Sequence, residues 1–284
     1  TGGTIKLGGG LLKITNASQG SISNDGEINL ENGQIEVGFN IDNSGTLRTG
    51  PTGKVSVGGN FKSNGNLDSG DESTIEFTGY AVQNVGPIDN QALEGDFSES
   101  NNNGFRNVIV KSGSVVRPSA QLSDSGSGNP VLIEGDLTVE SGGIYGDGDT
   151  DAGTVSEDSE ILYRGDTFNV PGDLFVNSIT FAGANLTEVG GSVFGEVIIL
   201  GLTDVKVTDQ NFAVVGFVDI NNNASLDVSS QNLRLSDDIL ITGDLMASNG
   251  TVIFDGEGRE TSRSGTNLED EIPDNIQQLS GGST

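Results

Sequence analysis

Hydrophobic residues occur along this chain in short alternating clusters separated by glycine, asparagine, aspartate and serine. For example, Thr4-Ile5-Lys6-Leu7 ends at Gly8-Gly9-Gly10, and Glu27-Ile28-Asn29-Leu30 ends at Glu31-Asn32-Gly33. An alternation with a period of two is typical of short β-strands that bury one face, and Asn-Gly or Asp-Gly pairs are typical of tight corners. The pattern therefore predicts an all-β protein of many short strands.

One strand–corner–strand phrase occurs three times, over 55–79, 131–165 and 239–256. Each copy has an apolar strand, then Gly-Asn or Gly-Asp, then an apolar residue, a polar corner and a strand that ends in aromatic-x-Gly. The closing aromatic residues Phe77, Tyr163 and Phe254 recur at similar intervals. A degenerate repeat of this kind indicates a solenoid or a repeat array.

Two topologies produce such a sequence, a meander of hairpins and a parallel β-helix. Asn-Gly corners favour hairpins, because their turns need positive φ angles. However, the corners recur too often for hairpin strands of the usual length, about five to six residues. The unit also repeats with insertions between copies, which solenoids tolerate on one face. We therefore predict a right-handed parallel β-helix, with a β-sandwich or jelly-roll pair as the alternative. Asparagines at the corners of such a helix could stack into hydrogen-bonded ladders between coils.

The predicted domain is a single β-solenoid over 1–256, with protruding loops at about 80–104, 123–130 and 143–158. These three segments are polar and rich in Gly, Asn, Asp or Ser, as loops are. Residues 257–284 are predicted to be a C-terminal cap or an intersubunit segment. An uncapped solenoid end exposes strand edges and core residues, which invites pairing with another chain.

The charge of the chain excludes several classes of partner. Among 284 residues, 41 are acidic and 13 are basic, and the formal net charge is −28. Binding to a nucleic-acid backbone or insertion into an anionic membrane by charge is therefore not expected. The chain has no cysteine and no histidine, so it lacks thiolate ligands and the commonest general base.

One acidic segment is a candidate calcium site. Asp147, Asp149 and Asp151 alternate along a loop, and Asp158 follows closely. Alternating carboxylates can supply the oxygen ligands that calcium prefers, although Ala152 stands where an EF-hand loop has glycine. An acidic, solvated loop is the alternative interpretation. A second Asp/Asn-rich stretch, 219–227, is predicted to be a structural corner, because Ile220 and Leu226 have the spacing of core residues.

Catalysis is not expected. Carboxylate pairs are too plentiful in this chain to mark a glycosidase site. The basic residues are dispersed, and aromatic residues make up only 5% of the chain, which leaves few platforms for sugar binding.

The repeated phrase, Gly-Thr-Val-x-Phe-x-Gly at 250–256 with an apolar strand leading into Gly-Asp-Leu, resembles β-solenoid repeats of large secreted bacterial surface proteins. These are adhesin-like, filamentous-haemagglutinin or autotransporter-passenger proteins. The resemblance implies an extracellular, cell-surface location and a structural or adhesive role, and it transfers no catalytic residue. The expected function is a subunit of a surface fibre that assembles with itself head to tail. A glycan- or calcium-dependent adhesin is the alternative, and a polysaccharide-active enzyme is a weaker one.

Overall fold

The computed structural model describes residues 3–15, 20–63, 65–70, 72–79, 82–86, 106–118, 131–133, 135–146, 160–183, 186–247 and 249–254. These residues form an all-β solenoid of stacked parallel strands, without any helix in the described part. The predicted parallel β-helix is therefore confirmed. The alternative is wrong, because sandwiches and jelly rolls are built from antiparallel strands.

Each coil of the solenoid has three faces, which we call A, B and C in chain order. Face A contains β2 (Leu11–Ile14), β5 (Gln34–Val37), β8 (Lys54–Val57), β11 (Thr74–Phe77), β13 (Asn107–Val110), β16 (Leu137–Val139), β23 (Ser225–Asp227) and β26 (Asp244–Met246). Face B contains β3 (Ile22–Asn24), β6 (Ile41–Asn43), β9 (Phe61–Ser63), β12 (Val82–Gly86), β14 (Val115–Pro118), β17 (Ile144–Gly146), β24 (Asn232–Leu235) and β27 (Thr251–Phe254).

Face C contains β1 (Thr4–Lys6), β4 (Glu27–Asn29), β7 (Thr46–Gly50), β10 (Asn66–Ser69), β15 (Val131–Ile133), β18 (Glu160–Tyr163), β22 (Val218–Ile220) and β25 (Ile239–Ile241). Three strands are longer and continue around the corners: β19 (Thr167–Phe181), β20 (Leu186–Ile199) and β21 (Asp204–Val215). The sequence predicts only short strands, so these long strands are a difference from the prediction.

The length of a coil varies along the solenoid. Near the N-terminus, one coil runs from Ile35 to Val55 and the next from Val55 to Ile75, because these three residues lie in register on face A. Later coils are longer. Val108 lies in register with Ile75, and Leu137 lies in register with Val108. The additional residues of the longer coils therefore leave the stacking of the strands unchanged.

The three predicted loops lie largely outside the described residues, but two strands fall within their bounds. Strand β12 lies inside the predicted loop at 80–104, and β17 lies inside the one at 143–158. The sequence does not predict β12 as a strand, because a polar residue, Gln83, occupies an inward position. This side chain is fully buried, and its amide donates hydrogen bonds to the carbonyl oxygens of Val57 and Gly59 at 2.9 Å.

The interior is a continuous column of Val, Ile, Leu and Phe side chains. Its central part contains an aromatic cluster in which Phe168 packs edge-to-face against Tyr163, Phe181 and Phe212, with ring centroids 5.4 to 6.5 Å apart. Each fully buried Val, Leu, Ile or Phe side chain stabilises the fold by about 1.5–3 kcal/mol. The core, rather than any single contact, holds the coils together.

The three aromatic residues that close the predicted long repeat are not equivalent. Phe77 is buried on face A, Tyr163 is buried on face C, and Phe254 on face B is 40% exposed. The structural repeat is therefore a single coil. The short spacing of successive strands and corners reflects this coil, whereas the longer interval between the closing aromatic residues does not. The stretch at 219–227 does form a corner as predicted, with Ile220 and Leu226 buried and Asn223 at a φ of 64°.

Candidate assembly surfaces at the two ends of the solenoid

The first described coil exposes residues that are core residues elsewhere. We call β1 and β2 together the head surface. Ile5 is 48% exposed, whereas Ile28, its register partner on the next coil, is 4% exposed. Ile5 therefore occupies an inward position that no further coil of the described chain covers.

Leu7 and Leu12 are only partly buried against the core, and Leu12 lies over the buried Ile35. Leu11 is also exposed, but its register partner Gln34 is exposed too, so Leu11 faces outward.

The last described coils show the same feature. We call β25, β26 and β27 together the tail surface. Ile241 is 42% exposed, although its register partner Ile220 is fully buried. Phe254 is exposed over a buried Leu235 in the same way. Leu240 and Met246 add exposed apolar area at this end.

Both surfaces have a free strand edge within the described part of the chain. There β1 pairs only with β4, and β2 only with β5. At the other end β25 pairs only with β22, and β26 only with β23. A free edge presents backbone N–H and C=O groups that a further parallel strand can bind.

The two surfaces differ in charge. The head surface carries Lys6 and Lys13, and no acidic residue precedes Asp25. Lys13 is paired with Glu36 on the next coil, whereas Lys6 makes no ion pair with another described residue. At the tail surface, 235–254 contains three aspartates and no basic residue; these are Asp237, Asp238 and Asp244. The two lysines and the three aspartates are exposed residues.

Between the two ends, ion pairs link successive coils. Glu76 on face A is only 7% exposed, and its carboxylate lies 2.8 Å from Lys54 Nζ and 3.3 Å from Lys111 Nζ. The hydroxyl of Ser56 donates a hydrogen bond to the same carboxylate at 2.9 Å. Burial pushes the pKa of Glu76 upward, but the hydrogen bonds from Lys54 and Ser56 and the charge of Lys54 outweigh it, so the pKa is lowered.

The same network continues to the next coil, where Lys111 Nζ lies 2.6 Å from a carboxylate oxygen of Glu140. The hydrogen bond to Glu140 is the main cause of a raised pKa for Lys111, with Glu76 contributing in the same direction. The network from Lys54 to Glu140 joins four successive coils through their outer surface. On face C, Arg48 bridges Glu27 and Asp68 and so joins three coils.

Amide side chains form a buried ladder near the head surface. Asn24 Nδ2 donates to Asn43 Oδ1 at 2.7 Å, and Asn43 Nδ2 donates to Ser63 Oγ at 2.9 Å. Each asparagine also donates to a backbone carbonyl of the next coil, that of Thr46 or Asn66. The expectation that corner asparagines stack between coils is confirmed here.

A small cavity lies in the core near the head surface. The cavity has a volume of about 10 Å³, lies beside Asn24 and Asn43 and is otherwise lined by isoleucine and leucine. This is near the lower limit for one water molecule. It belongs to the core and provides no binding site of the usual size for a small molecule.

The predicted calcium ligands Asp147, Asp149, Asp151 and Asp158 lie outside the described residues. The segment that contains them follows β17 in the sequence, whose last residue is Gly146. Among the residues that the structure does describe, no group of three or more acidic side chains could hold a metal ion. The calcium site stays a prediction.

Comparison with protein-family models, with curated proteins and with solved structures finds no match in any of the three. In the described part of the chain, no helix is long and apolar enough to span a membrane. The functional interpretation therefore depends on the geometry of this chain alone.

The sequence prediction missed the opposite charges of the two ends and the carboxylate bridge at Glu76. Neither involves a recognisable motif. Writing the chain in rows of one coil each places Lys54, Glu76 and Lys111 in neighbouring rows and Asn24, Asn43 and Ser63 in one column. This alignment requires the length of one coil. The phrase that repeats three times in the sequence is longer than one coil, so it does not give that length.

Proposed function

We propose that this chain is an extracellular structural protein, a β-solenoid unit of a surface fibre in which solenoids stack head to tail. Its partner is a second copy of itself, and it performs no catalysis. The two ends bind through backbone pairing and apolar contact, as in strand addition to a sheet edge.

The distribution of exposed hydrophobic residues carries this proposal. Nine large hydrophobic residues are exposed in the described part of the chain, and six of them belong to the head and tail surfaces. Three of them, Ile5, Ile241 and Phe254, occupy inward positions whose register partners are buried, and a stacked coil would cover them. The other three, Leu11, Leu240 and Met246, face outward at the same ends. Exposed apolar patches that are confined to particular places mark interaction sites in soluble proteins.

The energetics of stacking favour the ends over the sides. Covering an exposed Ile or Phe removes apolar surface from water and gains about 25 cal/mol for each Å² buried. The chain as a whole has a net charge of −28, so lateral contact between two copies is opposed by repulsion at low salt. End-to-end contact is opposed much less, since the head surface is basic.

The test compares two lysine variants of the 284-residue chain. Ile5→Lys places a charge at the inward position of the head surface, and Leu186→Lys places the same charge on an exposed leucine in the middle of the solenoid. Sedimentation velocity over a range of concentrations, with electron micrographs of the same samples, measures the particle length. We expect the wild type and Leu186→Lys to form concentration-dependent rods and Ile5→Lys to remain short.

A wild type that stays monomeric at every concentration and salt level would overturn the proposal. Equal assembly of the two variants would show that the head surface is not the contact. The alternative, an adhesin that binds glycans or calcium on 86–104 and 143–158, concerns segments that lie almost entirely outside the described residues, and it stays a prediction.

A further inference from the structure

We propose, on the basis of the head-to-tail function above, a specific register for the contact: β1 of one copy pairs in parallel with β25 of its neighbour. In this register Ile5 lies opposite Ile239, Lys6 opposite Leu240 and Leu7 opposite Ile241. The partner is a second copy of this chain, and the contact continues the sheet of face C from one copy to the next.

The order of the faces determines which strands meet. Each coil runs through faces A, B and C, and the last described strand, β27, lies on face B. Above β25, face C has no further strand in the described part of the chain. The first described strand, β1, lies on face C and has its outer edge free in the same part. It therefore fits the position next to β25, and β2 then follows over β26 on face A.

The alternation of inward residues sets the register. On face C, Ile28 and Leu30 point into the core near the head, and Ile239 and Ile241 take the corresponding inward positions at the tail. Because Ile5 is paired with Ile28, Ile5 corresponds to Ile239 and Leu7 to Ile241. A slip of one residue would turn Ile5 outward and place Lys6 in the core, so register errors are costly.

Charge supports the same arrangement. Lys6 would lie on the outer face beside Leu240, two positions along the chain from Asp238 and one strand away from Asp219, which is the register partner of Leu240. Burial raises the pKa of Asp219, and the charge of the nearby carboxylate of Glu196 adds to this effect. Lys6 from a second copy would supply a cation there.

The experiment uses cysteine cross-linking, which has no background because the chain contains no cysteine. The test variant is Lys6→Cys with Leu240→Cys, two outward positions whose Cα atoms would be about 4.8 Å apart across neighbouring strands. The matched control is Lys6→Cys with Asp219→Cys, whose Cα atoms would be about 10 Å apart, one strand further. Cysteines with Cα atoms more than about 7 Å apart cannot form a disulfide without movement of the backbone.

After mild oxidation and non-reducing electrophoresis, we expect a ladder of covalent dimers and longer oligomers from the test variant, and monomers from the control. Wild-type assembly is measured separately by sedimentation. Assembly without cross-links in the test variant, or equal cross-links in both, would overturn the register and leave the proposed function standing. A monomeric wild type would overturn the proposed function itself. Residues 255–284 folding over β25 would also abolish cross-links in the test variant, and this outcome counts against the register.

Discussion

Glu76 is an acidic residue on the outside of the solenoid that is nevertheless almost completely covered. Its carboxylate is surrounded by two lysines and a serine from neighbouring coils, so each oxygen has a partner. A carboxylate in such a site is stabilised by charge-assisted hydrogen bonds, which are roughly twice as strong as neutral ones. The network fastens the coils of face A on their outer side, where the apolar core does not reach.

Replacing this carboxylate should destabilise the fold in a pH-dependent way. Since the pKa of Glu76 is lower in the folded state than its ordinary 4.5, its contribution is complete above that value and is lost as the pH falls through the folded pKa. We expect Glu76→Gln to lower the free energy of unfolding by about 1–3 kcal/mol at pH 7.

The measurement is urea denaturation of both proteins at several pH values, in which the difference between them should shrink below pH 4.5. Glu188→Gln, an exposed glutamate on β20, is the control and should change the free energy of unfolding by less than about 0.5 kcal/mol. A difference for Glu76→Gln that does not depend on pH would contradict this account of the ion pairs.

At the scale of the elements, corners decide how long a strand can be. Strand β20 contains 14 residues and passes through more than one face, with a register shift between Val189 and Gly191. Gly191 has a φ of 108°, a backbone conformation that side chains disfavour. A Cβ atom at this position would lie 1.9 Å from the carbonyl oxygen of Val170 on the preceding coil. Only glycine allows the two coils to approach so closely.

We therefore expect Gly191→Ala to lower the free energy of unfolding by at least about 2–3 kcal/mol, because it combines backbone strain with a steric clash. Gly183→Ala is the matched control, since an added Cβ there meets its nearest atom at 3.5 Å. Thermal unfolding followed by circular dichroism compares the two variants with the wild type. Equal stability of the two variants would show that the coils can separate at this corner without cost.

The fold class was predictable from the chain because period-two alternation and frequent Gly/Asn corners are local properties. The length of β19, β20 and β21 was not, because a strand that bends around a corner still contains the Gly and Asn residues that otherwise end a strand. Strand β12 was missed for a different reason. Its buried Gln83 is polar, and this burial is favourable because the side-chain amide donates to two backbone carbonyl groups and accepts from the N–H of Gly79.

At the scale of the whole molecule, the main property is the uneven distribution of charge. The segment 1–24 carries two lysines and no acidic residue, while the chain as a whole has a net charge of −28. This distribution of charge supports the proposed stacking, because repulsion between two copies would be weaker at the head surface than elsewhere. The candidate calcium ligands at 147–158 add to the repulsion, so a bound cation would reduce it.

Calcium should therefore bind to the candidate ligands at 147–158 and strengthen the association between copies of the chain. We expect titration calorimetry to detect binding at millimolar calcium, and sedimentation to show longer assemblies at the same concentration. Asp149→Asn with Asp151→Asn should abolish the heat, because calcium needs several charged oxygen ligands. The control is Asp204→Asn with Asp227→Asn, two aspartates on β21 and β23, and these changes should leave the heat unchanged. Absence of heat with the wild type would remove the calcium site.

The assembly surfaces were only partly predictable from the sequence. An uncapped solenoid exposes strand edges at both ends. The sequence alone was therefore enough to predict that the ends could bind another chain. The identity of the residues was not accessible in the same way. Ile5 looks like any other inward residue of a strand, and its exposure depends on which coils of the described chain lie over it.

The variable coil length has a consequence for engineering. Val108 takes its place over Ile75 although the connection between them is longer than the one that joins Val55 to Ile75. Extending a flexible connection costs only about 0.6 kcal/mol for each doubling of its length. A guest peptide inserted at these corners would therefore be displayed at a fixed height on the rod at little thermodynamic cost. Repeated along a fibre, such insertions would form a regular array with the spacing of the subunit.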